Sequence, residues 1–91
     1  MAQVVITLRI MPSGVDVDLG KIAEEATSKI KEFDGEVGKK EEQPVAFGLK
    51  ALNLIFVMDE SKGSTEDLEN QISEIDGVQS VEVSDVRRAI G

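Results

Sequence analysis

The chain has 91 residues, a formal net charge of −8 from 18 acidic against 10 basic side chains, and no cysteine, histidine, tryptophan or tyrosine. That length suits one domain over residues 1–91, and 41% apolar with 31% charged residues marks a globular chain rather than a disordered one. The missing cysteine and histidine exclude disulfides, thiolate zinc sites, thiol nucleophiles and the usual imidazole base, while the acid surplus disfavours nucleic acid, whose phosphates call for Lys and Arg.

Residues Val4 to Ile10 alternate, with Val4, Ile6, Leu8 and Ile10 on one face and Val5, Thr7 and Arg9 on the other, the period of a half-buried strand. Pro12, Ser13 and Gly14 are expected to stop it. From Asp18 the period lengthens: Leu19, Ile22, Ala23, Ala26, Ile30 and Phe33 make one helical stripe, capped by Asp18 or Asp16 and ended by Asp34 and Gly35. The polar run from Glu36 to Glu42 reads as a weak edge strand leading to Pro44. Leu49 to Met58 is the strongest strand, with Leu52, Leu54, Phe56 and Met58 on one face and Ala51, Asn53, Ile55 and Val57 on the other, and belongs at the sheet centre.

Lys62 and Gly63 form a turn, and Ser64 with Asp67 three residues on predicts a capping box opening a helix on Leu68, Ile72 and Ile75. Asp76 and Gly77 close it. Val78 to Val86 then alternates again, with Val81 and Val83 inward, and Arg87 and Arg88 follow as a basic tail. The order βαββαβ predicts an α+β, ferredoxin-like two-layer sandwich: a four-stranded antiparallel sheet with both helices on one face. No apolar run nears the ~20 residues of a membrane span and Met1 to Val5 forms no secretory leader, so the expected setting is cytoplasmic, without membrane.

That fold hosts many functions, so sites must be argued singly. RNA-binding sheets expose stacking aromatics, but Phe33 and Phe56 lie on apolar stripes. Asp16 with Asp18, and Asp59 with Glu60, Glu66 and Asp67, lack calcium-loop spacing and read as solvated loop charge, so no metal is expected. No carboxylate sits in an apolar run that would raise its pKa and no Gly-rich phosphate loop is present, so neither enzymatic chemistry nor a cofactor is expected. Two features stand out. Phe47 beside Gly48 lies in the connection before the strong strand, where a Phe is either core or, at a hairpin tip, an exposed anchor. Arg87 and Arg88 either fold back on Glu82 and Asp85 or serve a partner.

At these features the sequence resembles a known family. Pro44, Ala46-Phe47-Gly48-Leu49-Lys50 and Leu52-Asn53, with Val78-Gln79-Ser80-Val81-Glu82-Val83 and then Arg87-Arg88, are similar to the nucleotide-exchange domain of translation elongation factor 1-beta, nearest its short archaeal form. The likeness covers the whole chain. It implies guanine-nucleotide exchange on elongation factor 1-alpha, a GTPase, without covalent chemistry, by a monomer. In the family a basic residue near the C-terminus enters the magnesium and phosphate region; by position Arg88 matches it, with Arg87 beside it. The eukaryotic residue is a Lys next to the end, whereas here an Arg is followed by three residues. The family's Phe that docks on the GTPase's second domain matches Phe47, with Gly48 after it and Ala46 where the family has a first Gly. The competing expectation is a small regulatory ligand-binding module that oligomerises through its sheet edges.

Overall fold

The computed structural model describes residues 2–89. Strand β1 (Gln3–Pro12) carries Ile6, Leu8 and Ile10 to the inside, so the predicted alternation holds, and the strand continues through Met11 to Pro12. Helix α1 (Leu19–Glu32) begins at Asp18, whose Oδ1 accepts from the Lys21 N–H at 3.2 Å, and buries Ile22, Ala23, Ala26 and Ile30. It ends where Asp34 takes a left-handed backbone (φ 64°) and the Gly35 N–H donates to the Ile30 carbonyl at 2.8 Å. Gly35 is required sterically: a Cβ there would lie 2.7 Å from Ile30 Cγ2 and 3.1 Å from Phe56.

Strands β2 (Glu36–Pro44) and β3 (Lys50–Asp59) form a hairpin whose connection holds a single 3₁₀ turn, Ala46–Gly48. Helix α2 (Glu66–Ser73) and β4 (Val78–Ala89) complete the order βαββαβ. The sheet runs β2-β3-β1-β4 with every neighbouring pair antiparallel, the ferredoxin-like sandwich, and β3 is central as expected. Ile6, Leu8 and Ile10 meet Leu52, Leu54, Phe56 and Met58 in the sheet, under Ile22, Ala26, Ile30, Leu68 and Ile72. Each large side chain fully buried there contributes about 1.5–3 kcal/mol of transfer free energy. Ala51, on the open face opposite Gln43, is also buried. Neither helix is long and apolar enough to cross a membrane.

Two expectations are corrected. The capping box does not form: Thr65 takes the cap position and turns its hydroxyl to Glu69 Oε2 at 2.8 Å, leaving Ser64 Oγ to accept from the Glu66 N–H at 3.0 Å. The basic pair is no tail either. Because β1 begins at Gln3, it supplies partners for β4 as far as Ala89, so Arg87 pairs opposite Val5 and Arg88 opposite Val4. A bulge decides which way they face. Thr7 lies opposite Asp85 and Leu8 opposite Val83, so Ser84 is an extra residue in β4, its hydroxyl donating to the Thr7 carbonyl at 3.3 Å. Strict alternation from Val81 and Val83 would send Asp85 and Arg87 inward. The extra residue instead puts Val86 and Arg88 on the helix side and Asp85 and Arg87 on the open face.

Candidate functional site: an aromatic tip and a basic end

The β2–β3 connection holds Phe47 at 93% exposure with the ring in solvent, which decides between the two readings of that residue in favour of exposure. Its backbone is left-handed (φ 61°, ψ 30°), and Gly48 follows at φ 76°. Two consecutive left-handed residues reverse the chain tightly, with the Val45 N–H donating to the Leu49 carbonyl at 2.8 Å and the Leu49 N–H to the Ala46 carbonyl at 3.3 Å. Gly48 adopts that conformation freely; a Phe does so at a cost of about 1–2 kcal/mol.

Beside this tip stands Val15, at 70% exposure, its Cγ1 at 3.7 Å from where a Cβ on Gly48 would be. Sequence reasoning passed over it. The available signal was its place in the loop 13–18, off both the strand alternation and the helical stripe.

At the opposite end of the sheet, Arg88 lies level with Val4 and Met58, so about eight residues of β3 separate it from the tip, roughly 25 Å at 3.3 Å each. Its guanidinium grips Glu60, with Nε to Oε2 at 3.1 Å and Nη2 to Oε1 and Oε2 at 3.2 and 3.0 Å. Glu60 follows β3 and is held there by its own N–H, which donates to the Ala2 carbonyl at 3.1 Å. Arg87 folds along its own strand to Asp85 at 2.9 Å, as the plain surface reading expects, whereas Arg88 does not. The two arginines are therefore not presented together. Val86, at 57% exposure, shares the helix-side face with Arg88.

The acidic loop next to them is internally occupied. Asp59 Oδ1 accepts from the Ser61 N–H at 2.8 Å, and this hydrogen bond, aided by Lys62, holds its carboxyl below the ordinary value. Lys62 Nζ pairs with Asp34 at 2.6 Å and lies 5.9 Å from the Phe33 ring centre. Among the described residues no three acidic side chains gather into a metal-binding group.

Residues 5–89 match the family of the EF-1 guanine nucleotide exchange domain. The chain belongs to that family. A relative from Methanothermobacter thermautotrophicus, "Elongation factor 1-beta", is 44% identical over 88 residues, covering 97% of this chain and 98% of its own. A protein of the same name from Aeropyrum pernix is 42% identical over 89 residues, with the same coverage. Among solved structures, the ACT domain from the GTP pyrophosphokinase of Chlorobium tepidum overlays with a TM-score of 0.56 at 24% identity, covering 87% of this chain and 95% of that one. The C-terminal domain of the Mycobacterium tuberculosis MgtC protein reaches 0.64 at 14%, covering 97% and 88%. These likenesses show the fold. The family gives the role, guanine nucleotide exchange in translation elongation, and with it a role exerted by binding.

Proposed function

We propose that this EF-1 exchange domain acts in the cytoplasm as a monomer on elongation factor 1-alpha, anchoring Phe47 on the GTPase's second domain and presenting Arg88 to its magnesium and phosphate region. The observation that carries this reading is the placement of a solvent-exposed aromatic and a basic strand end at opposite ends of one sheet. A partner gripped at two points that far apart can be held in a geometry its nucleotide-bound form does not favour. Exchange needs only that difference: a factor that binds the nucleotide-free GTPase more tightly weakens nucleotide binding by the same factor.

The cation supplies it by competing for the oxygens that magnesium and the nucleotide otherwise share. Arg88 is the inserting residue, because the resemblance matches it and because Arg87 faces the other side of the sheet. The guanidinium must first leave Glu60, an exchange of one anionic partner for another, which an exposed pair worth about 0.2–1 kcal/mol permits. In this reading the domain itself holds no cofactor or metal and binds no nucleic acid.

Release of fluorescent GDP from elongation factor 1-alpha tests it. The wild-type domain accelerates release, and Arg88→Ala removes most of the acceleration while Arg87→Ala removes little. No acceleration by wild type refutes the function; full acceleration by the Arg88→Ala, Arg87→Ala double variant refutes the mechanism.

A further inference from the structure

We infer that the loop between β1 and α1 is the second half of the aromatic docking end, with Val15 seated on the same apolar surface of elongation factor 1-alpha that receives Phe47. The inference rests on the two-point reading above and adds a contact residue to it.

Three observations converge on Val15. Only Val15, Phe47 and Val86 are large apolar side chains left exposed among the described residues, and Val15 lies beside Gly48, the residue that follows Phe47. Pro44 and Ala46, also exposed in the hairpin connection, add apolar surface at the same end, and apolar side chains gathered at one end mark an interface more than scattered ones do. The loop is also fixed. The Ser13 N–H donates to the Gly77 carbonyl at 2.8 Å, and Asp18 is locked as the cap of α1. Val17 packs so closely that a Cβ on Gly77, itself at φ 94°, would lie 2.9 Å from Val17 Cγ1. Val15 is thus displayed from a segment tied down on both sides, and ordering it on binding costs little entropy.

Shape points the same way. Between loop and hairpin runs a groove of about 330 Å³ that Val15, Val17 and Leu19 line from the loop side and Gly48, Glu42 and Lys50 from the hairpin side, so Val15 stands on the rim facing the tip that carries Phe47. A partner surface that accepts Phe47 at this tip meets Val15 in the same approach. An anchor of this kind gains from an aliphatic neighbour that excludes water from its pocket. The occupant is the GTPase rather than a second copy, since Val15 lies beside the tip whose Phe47 is the proposed anchor on that partner.

The test is a double-variant cycle on the full chain with nucleotide-free elongation factor 1-alpha, reading Kd by titration and the saturating rate of fluorescent GDP release. Val15→Asp raises Kd about tenfold, and Val15→Ser about threefold, with the saturating release rate unchanged. Combined with Phe47→Ala, each costs less than the sum of the single effects, because the two side chains share one pocket. Both variants keep the wild-type melting curve, since the position is exposed. Val15 variants that leave Kd unchanged while Phe47→Ala raises it overturn the inference and leave the two-point reading standing. Strict additivity with Phe47→Ala overturns it too, placing Val15 on a separate contact. If neither Val15→Asp nor Phe47→Ala changes Kd, the inference and the aromatic anchor fall together.

Discussion

Phe47 sits where a glycine or asparagine would be more comfortable, and its left-handed backbone is tolerated with the ring in water rather than in the core. Strain held at an exposed aromatic is better explained by binding than by folding. Phe47→Asn therefore raises the melting temperature by a few degrees while weakening the GTPase complex at least fivefold, a trade read by calorimetry and titration on one sample; for a domain of this size about 1 kcal/mol shifts melting by roughly 4–8 °C. Arg88 makes a different prediction. Its grip on Glu60 competes with its proposed target, so Glu60→Gln speeds GDP release about two- to fivefold at low ionic strength, and the difference vanishes in high salt. Asp59 supplies the pH dependence. Its carboxyl is held below 3.8 in the folded state, so the stability it lends is complete above that ordinary value and fades as pH falls through the depressed one. Asp59→Asn flattens the acid side of the melting-temperature profile; an unchanged profile would remove the Ser61 hydrogen bond from the account.

The secondary structure elements themselves were largely legible in the chain. β1, α1 and β3 each carry a long run at one period, and burial follows those runs because one core receives all of them. What could not be read was decided between elements. Whether β4 stops at Val86 or runs to Ala89 depends on β1 beginning early enough to pair with it. The facing of Arg88 depends on Ser84, and the bulge there shows in the sequence only as Val86 falling out of phase with Val81 and Val83. The grip of Arg88 on Glu60 joins residues 28 apart in sequence. Phe47 was legible as unusual but not as exposed, since a lone Phe near a turn suits a core equally well. Deleting Ser84 removes the extra residue yet leaves Asp85 opposite Thr7 and Arg88 opposite Val4, so exchange is retained. Its loss in the deleted variant, with the circular dichroism spectrum intact, would show that the local twist of the bulge, not the facing alone, serves the partner.

Taken as one body, the molecule separates its charge. Segments 18–34 and 59–76, which contain both helices, hold 12 of the 18 acidic and 4 of the 10 basic residues, so they account for the whole net charge of −8 and the rest of the chain is neutral. The helix layer is thus a negative plate laid on a sheet whose many charges cancel. Such an arrangement orients a domain during approach and acts on encounter rate more than on the bound state. Replacing Glu24, Glu25 and Glu74 with Gln slows association with the GTPase in stopped flow and leaves the saturating exchange rate alone; a changed saturating rate would place those groups in the bound interface.

The two outer strands have a further consequence. β2 is bulged at Gly38 and carries Glu36, Lys39, Lys40, Glu41 and Glu42, while β4 is bulged at Ser84 and carries Glu82, Asp85, Arg87 and Arg88. Strands twisted and charged in this way offer a poor template to another chain, which weakens the join that a module oligomerising through its sheet edges would need. A domain with the docking end proposed above gains from this: crowding can bring copies together, but growth of the sheet from one into the next is disfavoured.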